Sequence, residues 1–482
     1  MAGSDRGDLT RTAILALLGT VGPLSRSEIA RELDVSPATV TQLTRELMGH
    51  GMVEELDLKP SRGGRPAQRL GLVGGAGRAL GVKVTADHLV LVDVRLDGEV
   101  LGSWVRPFDP AAADAPGDLA DAVSSVLTAI TGGPPLLGVG VGVPGSVDDQ
   151  GVGTVNAPTL GWQAMPVGER LRRRLDLPVL VENDVNALAA AERLYGRGRT
   201  HRDFLVLTIG RGVGAAIVAD GRVYRGARGG AGEFGHLCVD PAGPPCGCGA
   251  RGCLEAFVGS TGLLAAARAK TAHPNPSTPS EGAPHGEGTP LTESGPLGGT
   301  GALGGSGTLG EIGAVGGSGI LGEIGGLGGT GGLGEGAAHR SPAPLRDGAP
   351  LGEGAGGALG AVAALGRAAV RGDAVAREVF AEAGEILGRA TAGLVNVVDP
   401  EVVVVLGEGT ADWPFWQVGF DRALRAQLYP GRRDIAVEVE SWDETSWAQG
   451  AAALVLATPF DAAGAAGEQG RLVRARLIGT TP

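Results

Sequence analysis

Hydrophobic and polar positions change rhythm several times along the chain. From Leu9 to about Leu72 apolar residues recur at helical spacing in short stretches. Ser25-Arg26-Ser27-Glu28 has the spacing of a capping box and opens a helix to about Leu33, with Ile29, Ala30 and Leu33 on one face. After the turn Asp34-Val35-Ser36, Ser36 is placed to cap a second helix, with Pro37 in its first turn and Gly51 as terminator. Val40, Leu43 and Leu47 form the apolar stripe of that helix. From Leu80 to Lys270, and again from Ala358 to Phe460, apolar strand-like runs alternate with helical segments, the pattern of an α/β fold. Leu80 to Val105 reads as a hairpin pair turning at Asp97-Gly98, and Leu136–Val143, Val179–Val181, Phe204–Ile209 and Val402–Leu406 read as strands.

The alternation stops between residues 271 and 357, where about a third of the positions are Gly and aromatic residues are absent. A twelve-residue unit recurs there: PLGGTGALGGSG (296–307), TLGEIGAVGGSG (308–319) and ILGEIGGLGGTG (320–331). Three copies are enough to stack as a solenoid, but each carries few bulky side chains and glycine loses the most entropy on ordering. The segment therefore reads as a flexible linker. Because the α/β pattern resumes after it, it reads as an insertion within one domain. The resulting division is 1–76, 77–270 with 358–460, the insertion 271–357, and a tail 461–482 that reads as loosely held.

Composition adjusts this picture in three ways. A chain of 482 residues has ample length for a large core and for two to four domains. The insertion is the richest source of the chain's excess glycine, with 29 of the 87, and a formal charge of −12 argues against a protein coated in nucleic acid, though not against a local basic patch. The four cysteines all fall between Cys238 and Cys253, which points to metal or redox chemistry rather than a disulfide framework. The polar, acidic start and the lack of a long apolar run predict a cytoplasmic protein without a membrane span.

The second helix leaves Ala38, Thr39, Thr41, Gln42 and Arg45 facing outward, a set suited to base edges and phosphates in a major groove. An amphipathic hairpin with a merely wet polar face would look similar. Lys59, Arg62, Arg65, Arg69 and Arg78 follow with no acid between them, and a winged helix-turn-helix explains both features. Thr39, Thr41, Gln42, Arg45, Arg62 and Arg65 are the expected contacts to a double-stranded DNA operator, with the wing providing the salt-dependent share of affinity. Since one recognition helix reads few bases, a homodimer or dimer of dimers is expected.

His236, Cys246, Cys248 and Cys253 offer one imidazole and three thiols within eighteen residues, separated by Gly and Pro. A tetrahedral Cys3His zinc site is the natural reading, and four protein ligands leave no open position, so the zinc is expected to be structural. Cys238, in an apolar context, reads as core.

Glu233-Phe234-Gly235-His236 and the run from Cys246 to Glu255 resemble the two signature motifs of the ROK family of repressors, open reading frames and kinases. The resemblance extends to Gly142-Val-Pro-Gly145, Asn156-Ala-Pro158, Glu182-Asn183-Asp184 and Gly210-Arg-Gly-Val-Gly214, and covers nearly everything but the insertion and the tail. It implies a two-lobed fold of the sugar-kinase and actin type behind the winged helix. It also implies that Asn183, Asp184, Glu233, His236 and Glu255 hold a sugar's hydroxyls, roles that suit strong carboxylate acceptors and a ring fixed by a metal.

In family kinases the residue matching Asp184 is the general base. Phosphoryl transfer, however, rests on holding the nucleotide phosphates. The family's first phosphate loop reads Asp-x-Gly-Gly-Thr, whereas this chain has Lys83-Val84-Thr85-Ala86-Asp87; the second keeps its glycines but carries Arg211. No catalytic residue is therefore expected. The sequence predicts a DNA-binding regulator, more a repressor of carbohydrate genes than an activator, responding to a sugar or sugar phosphate. An ATP-dependent, glucokinase-like sugar kinase carrying a DNA-binding arm is the alternative, with Asp184 as its base.

Overall fold

The caps around Ser25 and Ser36 govern the first part of the chain. The computed structural model describes residues 10–11, 13–15, 17–19, 21–59, 67–272, 353–460 and 467–479. Strand β1 (Leu24–Ser25) leads into α1 (Arg26–Glu32), where the Ser25 hydroxyl accepts from the Glu28 N–H and the Glu28 carboxylate accepts from the Ser25 N–H at 2.8 Å. Helix α2 (Pro37–Gly49) is capped by Ser36 and ends before Gly51, whose φ of +68° suits glycine. Val40, Leu43 and Leu47 are its buried stripe, as their spacing predicts. Strands β2 (Val53–Lys59) and β3 (Ala67–Leu72) pair antiparallel, and β1 joins the other edge of β3. Two helices and a hairpin in this order form a winged helix-turn-helix. The hairpin tip, with Arg62 and Arg65, lies outside the described residues, as does 273–352 with its repeats.

The first lobe is built on a sheet of order β11-β7-β4-β5-β6. Strands β4 (Arg78–Val84), β5 (His88–Arg95) and β6 (Val100–Pro107) form an antiparallel meander, with the turn at Gly98. Helix α3 (Ala115–Ala129) precedes β7 (Leu136–Val143), which runs parallel to β4. A small sheet follows from β8 (Ser146–Val147), β9 (Thr154–Ala157) and β10 (Trp162–Pro166). Helix α4 (Val167–Leu175) then leads to β11 (Val179–Asn183), parallel to β7, and α5 (Asp184–Leu194) leaves its end.

The second lobe has a sheet of order β14-β13-β12-β15-β16. Strand β12 (Phe204–Ile209) pairs antiparallel with β13 (Val213–Ala219), which carries β14 (Arg222–Val223). Short α6 (Leu254–Val258) and α7 (Ser260–Ala272) come before residue 273. Helices α8 (Glu353–Val370) and α9 (Ala374–Val398) follow residue 352, and α7 packs on α8, so the chain leaves and re-enters between neighbouring helices. Strand β15 (Val402–Leu406) lies parallel to β12, α10 (Trp413–Gln427) packs along α9, and β16 (Ala436–Val439) closes the sheet.

Helix α11 (Ser446–Ala457) returns to the first lobe and lies directly on β4 and β7. Gly81 and Gly140 make that approach possible, since a Cβ at either would collide with the carbonyl oxygen of Ala448 or Ala451. Residues after Phe460 are not a loose tail throughout: α12 (Gly467–Ile478) buries Val473 and Leu477, and Gln469 accepts from the Val179 N–H at 3.2 Å. One hydrophobic cluster runs from Ile14, Ile29 and Leu47 of the winged helix into Val90, Leu180, Leu456 and Val473 of the first lobe. No helix among the described residues is long and apolar enough to cross a membrane.

Candidate functional site

On α2, Thr39, Gln42 and Arg45 are exposed and Thr41 is half-buried. Thr39 Oγ1 meets the Ser36 hydroxyl at 2.7 Å, Thr41 donates to the Pro37 carbonyl, and Gln42 donates to Glu46 at 3.2 Å. Gln42 and Arg45 are thus the long side chains presented to solvent on this face. Arg78 does not belong to the basic strip that the sequence suggests. It lies in β4, paired at 2.8 Å with the buried Asp93, whose carboxyl is pushed up by burial and pulled back by the Arg78 charge. Arg69 sits in β3, partly buried.

The loop after β14 brings His236, Cys246, Cys248 and Cys253 together, one ligand atom from each within 4.8 Å of every other. The Cys246 sulfur is 3.6 Å from His236 Nδ1, and the Cys248 and Cys253 sulfurs are 3.7 Å apart. Zn–S bonds of about 2.3 Å and a Zn–N bond of about 2.05 Å in a tetrahedron require edges of about 3.8 Å and 3.6 Å, and these two edges match that geometry. Nδ1 faces the cluster, and Nε2 is left 3.9 Å from Glu233. Cys253 is buried and Cys238 is exposed, so the reading of Cys238 as core is corrected: Leu237 and Val239 on either side of it are exposed as well, and the apolar stretch lies at the surface.

Asp184 opens α5 at the carboxyl end of β11, a position where parallel strands commonly place reactive groups. Asn183 caps that helix, its Oδ1 accepting from the N–H groups of Val185 and Asn186, while Nδ2 donates to the Gly145 carbonyl at 3.0 Å. One Nδ2 hydrogen remains for another partner. Glu255, in the first turn of α6, accepts from the Val213 N–H at 3.2 Å. The Glu233 carboxyl is raised above its ordinary range by burial first; His236 opposes this, and the charges of Asp184 and Glu255 add to it. Glu233 thus feels the charges of both Asp184 and Glu255. Fully buried Glu182 accepts from Arg225 Nε at 2.5 Å and from Gln150 and Asn186.

The sequence did not disclose what holds Asp184. Lys83, buried in β4, forms an ion pair with the Asp184 carboxylate, and its ammonium lies 4.4 Å from the Trp447 ring centre. Trp447 donates to Glu408 at 3.0 Å, and the Glu408 carboxylate sits where a Cβ at Gly210 would be. The same holds for Glu255 at Gly212, so two of the three glycines of the Gly210–Gly214 loop lie under carboxylates. Asp87 is held below its ordinary range: burial raises it, but hydrogen bonds from His88 and Thr85 and the charges of His88 and Arg211 prevail. The available signal was Lys83 itself, a lone charge in the apolar run Ala79 to Val84.

A winged helix followed by two mixed-sheet lobes around a carboxylate cluster defines a class of two-lobed proteins, and comparison with solved structures supplies that class. A ROK family transcriptional regulator, a homologue of the Escherichia coli MLC protein, superposes with a TM-score of 0.68 over 98% of this chain and 100% of its own, at 22% identity. A ROK family glucokinase from Streptomyces griseus, solved with glucose and AMPPNP, superposes with a TM-score of 0.54 over 78% of this chain and 99% of its own, at 24% identity. The fold is thus a winged helix joined to lobes of the actin-like sugar-kinase type.

The ROK family model matches residues 79–287 of this chain, and the MarR family model matches residues 8–59. A xylose repressor from Caldicellulosiruptor bescii is 33% identical over 250 residues, 50% of this chain and 61% of that one. A xylose repressor from Bacillus subtilis is 30% identical over 251 residues (52% and 65%), and an N-acetylglucosamine repressor from Escherichia coli O6:H1 is 29% identical over 263 residues (53% and 63%). The chain spans between 61% and 65% of the length of these relatives.

Proposed function

We propose that the protein is a sugar-responsive, DNA-binding transcriptional regulator that represses carbohydrate genes. The observation that carries this reading is the ion pair between Lys83 and Asp184. A carboxylate that already accepts from a buried ammonium is a poor general base but remains a good hydrogen-bond acceptor, which is what a sensor needs. Carboxylates against Gly210 and Gly212 likewise disfavour nucleotide phosphates by charge. The winged helix and the repressor relatives supply the output. Through α2 and the wing, a dimer would read a two-fold operator, Gln42 and Arg45 at base edges and Arg62 and Arg65 at phosphates.

In this reading Asp184, Glu233 and Glu255 accept from sugar hydroxyls, and Asn183 and His236 complete the pocket. Zinc held by His236, Cys246, Cys248 and Cys253 would fix the imidazole through Nδ1 and leave Nε2 for the sugar. A ligand that binds two lobe arrangements unequally shifts DNA affinity by the same free energy. The retained Asp184 and the three glycines of the Gly210–Gly214 loop favour a sugar kinase as the second reading. The deciding experiment measures operator binding by fluorescence anisotropy with and without candidate sugars and sugar phosphates, alongside ATP consumption. Sugar-dependent release without ATP turnover supports the regulator; turnover above background overturns it in favour of the kinase.

A further inference from the structure

Cys238 stands outside the four-residue cluster, yet the backbone sets it directly against one member. The Val239 N–H donates to the Gly252 carbonyl and the Leu254 N–H to the Leu237 carbonyl, both at 2.8 Å, so Cys238 and Cys253 face each other in an antiparallel bridge. Because the hydrogen bonds join the flanking residues, this is a non-hydrogen-bonded pair. Such pairs bring opposed Cα atoms to about 4.5 Å with both Cβ atoms on one face. A disulfide spans Cα separations of about 4.4–6.8 Å, so the backbone is already in range. The Cys238 thiol now donates to the Arg251 carbonyl at 3.7 Å, a weak contact that a χ1 rotation breaks. Exposure is divided between the two: Cys238 is open to solvent, whereas Cys253 is buried with its sulfur 3.7 Å from that of Cys248.

We propose that Cys238 is an oxidation site for hydroperoxides and that Cys253 is its resolving partner. The Cys238 sulfur attacks the outer peroxide oxygen; the O–O bond breaks, two electrons pass from sulfur to oxygen, and the departing alkoxide or hydroxide takes a proton. The Cys253 sulfur then attacks the resulting sulfenic sulfur, the S–S bond forms, the S–O bond breaks, and hydroxide leaves as water after taking a second proton. Two thiols and one peroxide thus become a disulfide, an alcohol or water, and water. The bond removes Cys253 from the cluster, leaving His236, Cys246 and Cys248 as a three-ligand set that binds metal more weakly. Since His236 is anchored there by Nδ1 and faces Glu233 by Nε2, oxidation also frees the ring beside the carboxylates. This inference goes beyond the regulator reading and does not require it, because it stands on the loop geometry alone.

The test uses the full chain, stoichiometric hydrogen peroxide and alkylation of remaining thiols. Trypsin cuts after Arg228 and Arg251, and cleavage before Asp240 separates Cys238 from Cys246 and Cys248. The expected product is residues 229–239 linked to residues 252–268, with zinc release, followed by a chromogenic chelator, keeping pace with the link. In Cys238→Ser the link is lost and peroxide-driven zinc release slows, while Cys238→Ala checks that the exposed position tolerates change. A wild-type link from Cys253 to Cys246 or Cys248 with Cys238 left free would overturn the proposal. So would equal zinc release from wild type and Cys238→Ser. In a preparation without zinc the peptide link alone decides.

Discussion

Replacing Lys83 by Met is the sharpest probe of the lobe interior. Both members of the Lys83–Asp184 pair have side chains only 10% exposed, so the substitution leaves a carboxylate desolvated without its cation. Breaking a buried pair from one side costs about 3–5 kcal/mol, well above the ~0–1 kcal/mol of a surface pair. Met keeps an apolar stem over Trp447 and recovers about 0.3–1.5 kcal/mol of the lost ring contact, which isolates the charge effect. We expect Lys83→Met to lose about 3 kcal/mol at pH 7, a fall in Tm of roughly 5–10 °C. The double variant Lys83→Met/Asp184→Asn should regain most of that, because no buried charge remains and the Asn oxygen still accepts from the Val185 N–H. Urea denaturation of the wild type, both single variants and the double variant gives the coupling, expected near 2 kcal/mol. Additive losses, or a single-variant loss under about 1 kcal/mol, would refute the claim that Lys83 compensates Asp184.

Four further outcomes are expected. Asp184→Asn should weaken the sugar response ten- to hundredfold, the effect of losing about 1.5–3 kcal/mol at an ionised acceptor, measured by sugar titration of the DNA complex. Cys253→Ala should lose bound zinc and stability together, read by elemental analysis and thermal unfolding. Gln42→Ala should change base preference at one operator position, whereas Arg65→Ala should weaken all sequences and reduce the salt slope by about 1. Glu192 carries a pH effect: burial raises its carboxyl to about 7, the Arg197 N–H opposing and Glu440 assisting. Below its ordinary value of 4.5 the folded and unfolded chains are both protonated there. As pH climbs from 4.5 through 7 the unfolded chain ionises more readily, so stability falls and then levels off. Glu192→Gln should therefore stabilise by about 1–3 kcal/mol at pH 8 and by nothing near pH 4, measured by denaturation at both values.

What could be read from sequence was what local chemistry determines. Phe204–Ile209 and Val402–Leu406 match their strands residue for residue, because strands buried on both faces read as almost wholly apolar runs. The capping box at Ser25 and the ligand set from His236 to Cys253 are also local, the latter closed within eighteen residues. Long-range partners were beyond such reading. Lys83 meets Asp184 across 101 positions, and Gln469 reaches Val179 across 290. Arg78 misled because it is adjacent in sequence to a basic strip from which the fold removes it. Asn183 shows a third limit, since the residue type suited to a sugar is equally suited to cap a helix, and it caps α5.

The shared hydrophobic cluster between the winged helix and the first lobe has a mechanical consequence. A reader joined to its sensor by a tether swings freely, and its aim is set by chain length. Here Ile29, Leu47, Leu180 and Leu456 belong to one continuous nonpolar body. Turning one part against the other would open it to water at roughly 1.5–3 kcal/mol for each large side chain exposed. The recognition helix therefore travels with the first lobe as a pointer fixed to a plate. If the protein reads DNA as the proposed dimer, a few degrees of tilt in that plate would translate into ångströms at the groove, and two such pointers would turn lobe tilt into half-site spacing.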